Sequence, residues 1–260
     1  MSRINFLFEA VKSLTCWFLV AVCTFVLFWP TLIMSLCLYP FDSVRKAIHP
    51  IISFWAKTIL IVCPLMNVQV EGEEYLNPSQ TYILISNHQS IADILVALHL
   101  HQSFKFIAKK ELFLIPFFGW AMTLAGYIPL VRGNQQSAKQ AVLKAKILIE
   151  KGVSVLFFPE GTRSPDGEIH LFKIGAFKLA AEMNVPIVPI VIDGTYNLVP
   201  KGRRLFNRNV SVKLKILKPR KLDNRDNSTA EQMLDDTRYE MINSLNQIRS
   251  QKGIELTSVT

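Results

Sequence analysis

A chain of 260 residues is long enough for one sizeable domain with an appendage. Half of the residues are hydrophobic and the mean hydropathy is +0.27, which is high for a soluble domain. The net charge of +9 is concentrated in residues 201–225, which hold ten basic residues and one acid, Asp223. No recognised nucleic-acid motif accompanies this basic region, so we expect an anionic membrane surface as the partner and no nucleic acid.

The hydrophobic excess lies near the N-terminus. Residues 13–41 contain no charge, and a second apolar run covers residues 51–66 with one lysine, Lys57. A bilayer span needs about 20 apolar residues. The first run therefore predicts either a single span over about residues 14–38 or a helical hairpin in one leaflet, bent near Pro30 because proline removes a backbone donor. Basic residues flank both sides, which favours the hairpin.

Strand and helix patterns alternate after this anchor. Six apolar or β-branched runs predict strands: "NVQVEG" (67–72), "TYILIS" (81–86), "FKFIA" (104–108), "VSVLFF" (153–158), "PIVPIVI" (186–192) and "VSVKLKIL" (210–217). Helices are predicted for "SIADILVALHL" with Ser90 as N-cap, "QQSAKQAVLKAKILIEKG", "KIGAFKLAAEMN", and a C-terminal stretch from Ser228 that ends at Gly253. We expect an α/β fold with a mixed, largely parallel central sheet flanked by helices and an N-terminal membrane-associated helical hairpin.

Three parts of the chain follow from these patterns. Residues 1–66 form the predicted membrane anchor, residues 67–253 the α/β domain, and residues 254–260 a flexible tail. The four cysteines lie in or beside the apolar runs and form no CxxC pair, which is typical of a protein in a reducing compartment. The predicted location is therefore the membrane, integral or monotopic, with the α/β domain on the cytoplasmic face.

A histidine and an aspartate follow the second predicted strand, in "SNHQSIAD". Two residues five apart in one helix point about 140° away from each other, so both cannot be helical if they interact. If His88 precedes the helix and Asp93 lies in its first turns, the carboxylate reaches one ring nitrogen and the other acts as a general base. A His-x4-Asp pair is common by chance, and Asp93 also suits a helix N-terminus. This motif alone does not identify a catalytic site.

Polar residues also follow the fourth predicted strand, in "FPEGTRSPDGE". Open α/β sheets bind ligands at the carboxyl ends of their strands. Gly161 permits close approach of a ligand to the backbone, and Arg163 can bind a phosphate with two parallel hydrogen bonds. Glu160 suits two roles, as an acceptor for a substrate hydroxyl or as a partner that orients Arg163. The "PDG" that follows has the composition of a turn.

Together, "NHQSIAD" and "FPEGTRS" resemble the signature of the glycerolipid acyltransferase family, and within it the 1-acyl-sn-glycerol-3-phosphate (lysophosphatidate) acyltransferases. "GYIPLVR" (126–132), "VPIVPIVI" (185–192) and "FKIGAFKLA" also fit the family, although Ile174 stands where a second lysine is common. The resemblance covers residues 76–194 in order and spacing. The apolar N-terminus and the basic region match only in character.

The resemblance implies transfer of a fatty acyl group from acyl-CoA or acyl carrier protein to the sn-2 hydroxyl of 1-acylglycerol 3-phosphate, which makes phosphatidate. His88 would deprotonate that hydroxyl, Asp93 would orient His88, and no acyl-enzyme would form. The residues implied in binding the glycerol phosphate are Glu160, Gly161, Thr162 and Arg163, with added positive charge from Arg132 and Lys109. Neither a cofactor nor a metal is expected, and the oxyanion is expected to bind backbone N–H groups near the helix start.

Three alternatives remain at this stage. The acceptor could be another lysophospholipid or a different lipid. The same base could activate water in a thioesterase or lipid hydrolase, although no Gly-x-Ser-x-Gly nucleophile elbow occurs in the sequence. The third alternative is a membrane-binding protein without catalysis, which the presence of both His88 and Asp93 disfavours.

Overall fold

A computed structural model describes residues 3–198, 205–206, 210–221 and 227–258. The helices in these ranges are α1 (Arg3–Leu38), α2 (His49–Val62), α3 (Asp93–Ala97), α4 (Phe118–Leu124), α5 (Gln135–Glu150), α6 (Gly175–Met183), α7 (Thr195–Leu198) and α8 (Asn227–Ser258). The strands are β1 (Met66–Glu71), β2 (Ile83–Ser86), β3 (Phe104–Lys109), β4 (Ile128–Leu130), β5 (Ser154–Phe157), β6 (Ile187–Asp193) and β7 (Val210–Ile216). All six predicted strands are confirmed, and the three-residue strand β4 was not predicted.

The strands form one mixed sheet in the order β1-β7-β6-β2-β5-β3-β4. Neighbouring strands are parallel throughout, except that β6 and β7 are antiparallel. Strands β2, β5 and β6 are buried along their whole length. Central strands that are covered on both faces need apolar side chains in both directions, which explains their runs without alternation. The predicted fold class is confirmed.

Helices cover both faces of the sheet. Alternate residues of β2 point to opposite sides, so Leu84 packs with α2 and α3 while Ile83 and Ile85 pack with α5, α6 and α8. Both clusters consist of buried hydrophobic side chains. The carboxyl ends of β2 and β5, where the motifs of interest begin, therefore lie between two hydrophobic layers.

The N-terminal hairpin differs from its prediction in where the chain reverses. Helix α1 continues through Pro30, and the chain turns after Leu38 into α2. The two helices are antiparallel, because the Cys63 thiol contacts the Cys16 carbonyl at 3.5 Å and the Trp55 indole N–H donates to Thr24 Oγ1 at 3.1 Å. A bend at Pro30 is therefore wrong. Proline removes only one hydrogen bond from this 36-residue helix. Packing of one side of α1 against the domain therefore keeps the helix continuous.

Two predicted helix ends are also wrong. Helix α3 begins at Asp93 with Ala92 as its N-cap, so Ser90 does not cap it. Helix α8 continues beyond Gly253 to Ser258. A glycine inside a helix costs only about 1 kcal/mol relative to alanine, which is not enough to end one. Five of the ten basic residues in 201–225 fall outside the described parts of the chain: Lys201, Arg203, Arg204, Arg208 and Arg225. The side chain of Ser228 also falls outside them.

Candidate active site

The two polar motifs meet because β2 and β5 are adjacent parallel strands, with Ile85 paired to Phe157. The chain after β2 carries His88, and the chain after β5 carries Glu160. The Ser164 backbone N–H donates a hydrogen bond of 2.7 Å to the His88 carbonyl. The 72 residues that separate the motifs in sequence therefore do not separate them in the fold.

His88 and Asp93 form a hydrogen-bonded pair, with 2.7 Å between His88 Nδ1 and Asp93 Oδ2. The Asp93 side chain is fully buried and that of His88 is 11% exposed. The same oxygen, Oδ2, accepts the backbone N–H groups of Gln89 at 2.7 Å and Ser90 at 2.9 Å. An ionised carboxylate is an acceptor only, so His88 carries its proton on Nδ1. No described residue hydrogen-bonds Nε2, and His88 contributes to a cavity wall.

Several backbone N–H groups near the start of α3 have protein partners. Those of Gln89 and Ser90 donate to Asp93, and that of Ala92 donates to Ser90 Oγ. The N–H of His88 donates to Glu160 Oε1 at 2.9 Å. These backbone N–H groups therefore donate to protein atoms, and those of His88, Gln89 and Ser90 help to hold the His88–Asp93 pair in position.

Glu160 connects the two motifs. Its Oε1 accepts the His88 N–H, and its Oε2 accepts the His170 N–H at 3.3 Å. The residue is buried, and burial raises the pKa of the Glu160 carboxyl, which the two backbone N–H donors partly oppose. Phe158, two residues earlier, stacks its ring on the His88 imidazole with 4.3 Å between centroids. The segment after β5 thus fixes both the backbone and the ring of His88.

A cavity of about 970 Å³ opens beside His88. Apolar side chains form most of its described wall, part of it from α1, α2, α3 and α4. Four described cationic side chains also line it: Lys109, Arg132, Arg163 and Lys173. The described wall includes Gly161 but neither Glu160 nor Thr162. A largely apolar space with a few cations fits an amphiphile that has an anionic head.

The cations lie close enough to perturb one another. The pKa of the Arg132 guanidinium is lowered, mainly by burial and then by the charge of Arg163, while Glu111 opposes both. Lys109 is paired with Glu111 at 3.3 Å. Two guanidinium groups held near each other in a cavity repel, and an anion bound between them would remove that repulsion. This electrostatic arrangement therefore favours an anionic ligand.

Gly161 and Lys173 are in direct contact. Gly161 has φ +74°, and a Cβ built there would lie 2.8 Å from Lys173 Nζ. Glycine at this position both permits the left-handed backbone and leaves room for the lysine head. The sequence did not identify Lys173 as a site residue, because the eleven residues between it and Gly161 conceal their contact. Its basic type within the matching block "FKIGAFKLA" was the available signal.

Other supporting residues were also missed. The Asn87 side chain bridges to β6, donating to the Ile192 carbonyl and accepting the Ile192 N–H, both at 2.8 Å. Thr195, at the start of α7, hydrogen-bonds Asp93. Arg249 of α8 donates to the Gly167 carbonyl at 2.8 Å and to Asp193 Oδ1 at 3.2 Å. These contacts join segments far apart in sequence, which no local pattern reveals.

Comparison with known proteins gives the arrangement a family context. The profile of the family described as "Acyltransferase" matches residues 67–193, which include both motifs. The chain is 39% identical over 208 residues to the chloroplastic 1-acyl-sn-glycerol-3-phosphate acyltransferase BAT2 of Brassica napus, covering 79% of this chain and 58% of that protein. It is 35% identical over 198 residues to the 1-acyl-sn-glycerol-3-phosphate acyltransferase of Saccharomyces cerevisiae, covering 75% and 65%.

A solved structure is also similar. The crystal structure of the 1-acyl-sn-glycerophosphate acyltransferase PlsC from Thermotoga maritima aligns with a TM-score of 0.76 and 28% identity, covering 92% of this chain and 97% of that one. The chain spans between 50% and 65% of the length of the first three curated relatives that it matches. The likeness to PlsC extends over nearly the whole of both chains.

Proposed function

The chain belongs to the acyltransferase family, and on that premise we propose that it transfers a fatty acyl group from a thioester to the sn-2 hydroxyl of 1-acylglycerol 3-phosphate. The product is phosphatidate. The names of the relatives support this acceptor, and so does the cavity, whose described wall is mostly apolar and contains both His88 and four cations. We propose acyl-CoA or acyl carrier protein as the donor and no cofactor.

The reaction begins at His88. Because Asp93 holds the proton on Nδ1, Nε2 is the nitrogen that accepts the proton of the sn-2 hydroxyl. The oxygen attacks the thioester carbonyl, the C–S bond breaks as the tetrahedral intermediate collapses, and the imidazolium returns the proton to the departing thiolate. Buried Asp93 stabilises the imidazolium while it exists. This sequence of steps needs no acyl-enzyme.

The glycerol phosphate is proposed to bind among the cations. A phosphomonoester carries up to two negative charges, which match Arg132 and Arg163 with Lys173 and Lys109 nearby. Gly161 allows the phosphate to approach the backbone. Glu160 is proposed to position His88 rather than to contact the phosphate, since both of its oxygens accept backbone N–H groups. Thr162 is exposed and is proposed to contribute at the edge of the site.

Membrane association is proposed to be monotopic. Among the described residues, Glu9–Leu38 is long and apolar enough to cross a membrane. However, α1 packs along the domain, from Ser13, which accepts the Phe206 N–H, to Phe28, whose ring lies 5.9 Å from that of Trp120. Contacts with the domain over this length support a helix that stays with the domain and does not cross the bilayer.

The outer face of α1 supports the same arrangement. This face exposes large apolar side chains to the surroundings: Leu7, Val11, Leu14, Phe18, Val22, Val26, Ile33 and Leu36. Such a stripe suits the acyl region of one leaflet, with the α/β domain at the membrane surface. We propose the cytoplasmic face, since the four cysteines are free thiols.

The observation that carries the proposal is the His88–Asp93 pair, with His88 in the wall of a cavity whose described lining is mostly apolar and includes four cations. The test is an assay of purified protein with radiolabelled acyl-CoA and acyl carrier protein, in parallel, against lysophosphatidate, lysophosphatidylcholine and monoacylglycerol. Label in phosphatidate with either donor is the expected result. Label only in free fatty acid would support a hydrolase, and preference for another acceptor would contradict the assignment of the phosphate site.

A further inference from the structure

The buried carboxylate of Asp93 is held from two directions. The loop after β2 supplies three hydrogen bonds to Oδ2, from His88, Gln89 and Ser90. The other oxygen, Oδ1, accepts the hydroxyl of Thr195, which lies 102 residues later at the start of α7. Both Asp93 and Thr195 have no solvent exposure. A buried carboxylate needs such donors because it has no water to solvate it.

The chain after β6 is built to bring Thr195 to this point. Gly194 has φ +104°, and a Cβ there would lie 2.3 Å from the Ser211 carbonyl of β7. Only glycine can therefore make the turn that directs Thr195 back beneath the end of β2. The motif "DGT" carries the signal in the sequence, although the turn alone does not reveal which residue it presents.

The direction of the Thr195 hydrogen bond follows from its neighbours. A hydroxyl donates one proton, and Thr195 Oγ1 contacts Asp93 Oδ1 at 2.5 Å and Gln89 Oε1 at 3.4 Å. The Gln89 amide nitrogen donates to the Gly167 carbonyl at 2.8 Å, which fixes its oxygen toward Thr195. Both contacts are acceptors, and the carboxylate is nearer and charged, so the proton is directed at Asp93.

We propose that Thr195 is a positioning residue of the acyl-transfer reaction, which holds the Asp93 carboxylate so that Oδ2 faces His88 Nδ1. This inference rests on the proposed function. A carboxylate anchored at one oxygen only could rotate about its terminal bond and present a different lone pair to the histidine. With Oδ1 fixed by Thr195, Oδ2 keeps the proton on Nδ1 and leaves Nε2 as the base.

Kinetics of Thr195→Val test the role, since valine has the same shape without the hydroxyl. A hydrogen bond to a charged group corresponds to about 10- to 100-fold in rate, so we expect kcat to fall by about that factor. KM for both substrates should stay within about threefold, and Thr195→Ser should restore kcat. The matched control is Thr237→Val in α8, whose hydroxyl is buried without a partner among the described residues. It should leave kcat unchanged.

Nuclear magnetic resonance of ¹⁵N-histidine-labelled protein gives a readout that needs no substrate. The ¹⁵N signals of the His88 ring are assigned by their absence in His88→Ala. Their chemical shifts report which ring nitrogen carries the proton. In wild type and Thr195→Ser the proton should stay on Nδ1, and in Thr195→Val the two shifts should move toward each other. Wild-type kcat in Thr195→Val, failed rescue by serine, or unchanged ring shifts would overturn the proposal. A wild type that does not acylate lysophosphatidate would refute the proposed function alone, because the ring shifts still decide Thr195.

Discussion

Replacing Arg132 by glutamine tests whether this cation binds the ligand or stabilises the fold. Burial and the neighbouring charge of Arg163 both lower the pKa of Arg132, so its charge costs stability while no anion is bound. Removing the charge should therefore leave the melting temperature unchanged or raise it. The bound phosphate would at the same time lose a charge-assisted contact that contributes about 1.5 to 3 kcal/mol.

We accordingly expect Arg132→Gln to raise KM for lysophosphatidate about 10- to 100-fold, with kcat and KM for the acyl donor within about threefold. The assay is initial-rate acyl transfer in detergent micelles of fixed composition, together with thermal unfolding of the same preparations. Lys178→Gln, on the exposed side of α6, is the control for a general loss of charge. A lower melting temperature with unchanged KM would refute the reasoning, because it would make Arg132 a structural residue.

Two other predictions concern the cavity and the contact of Lys105 with the segment between α1 and α2. Ala21 lines the cavity, so Ala21→Trp should shift the preference in a mixed-donor assay to shorter acyl chains, at about 0.8 kcal/mol per methylene left unburied. The control, Val22→Trp on the outer face of α1, should not change the preference. The same shift in both variants would contradict the cavity as the acyl site. Fully buried Lys105 donates to the Arg45 carbonyl, and burial lowers the pKa of Lys105 to about 7. The unfolded chain then binds more protons between pH 7 and 10.5, so wild-type stability should rise with pH over that window by about 5 kcal/mol relative to Lys105→Met. If the stabilities of wild type and Lys105→Met changed with pH in parallel, the lowered pKa of Lys105 would be wrong.

Local patterns in the sequence were sufficient where local physics decides the structure. The six longer strands carry enough apolar or β-branched residues to be identified from sequence, and the His88–Asp93 geometry followed from placing a helix start between the two residues. Strand β4 has three residues and pairs only with β3, so its sequence carries too little periodicity to identify it. Pro30 was a weak guide because packing along α1 outweighs one missing hydrogen bond.

Tertiary contacts account for the parts of the site that the sequence did not predict. Thr195 and Lys173 have ordinary local surroundings, and their importance comes from the segments that the sheet order brings beside them. Glu160 illustrates the same limit within a recognised motif. Its residue type suited contact with a substrate hydroxyl or with Arg163. The fold adds that its two oxygens accept backbone N–H groups from His88 and His170, which no local pattern reveals.

The central claim is that His88 acts as the base that transfers an acyl group to lysophosphatidate. The most direct measurement is kcat of His88→Ala beside wild type with acyl-CoA and lysophosphatidate, with folding checked by thermal unfolding. General base catalysis contributes about 100- to 10,000-fold. A loss of kcat in that range, with KM for lysophosphatidate within about threefold, is the expected result. Wild-type kcat in a folded His88→Ala protein would contradict the account.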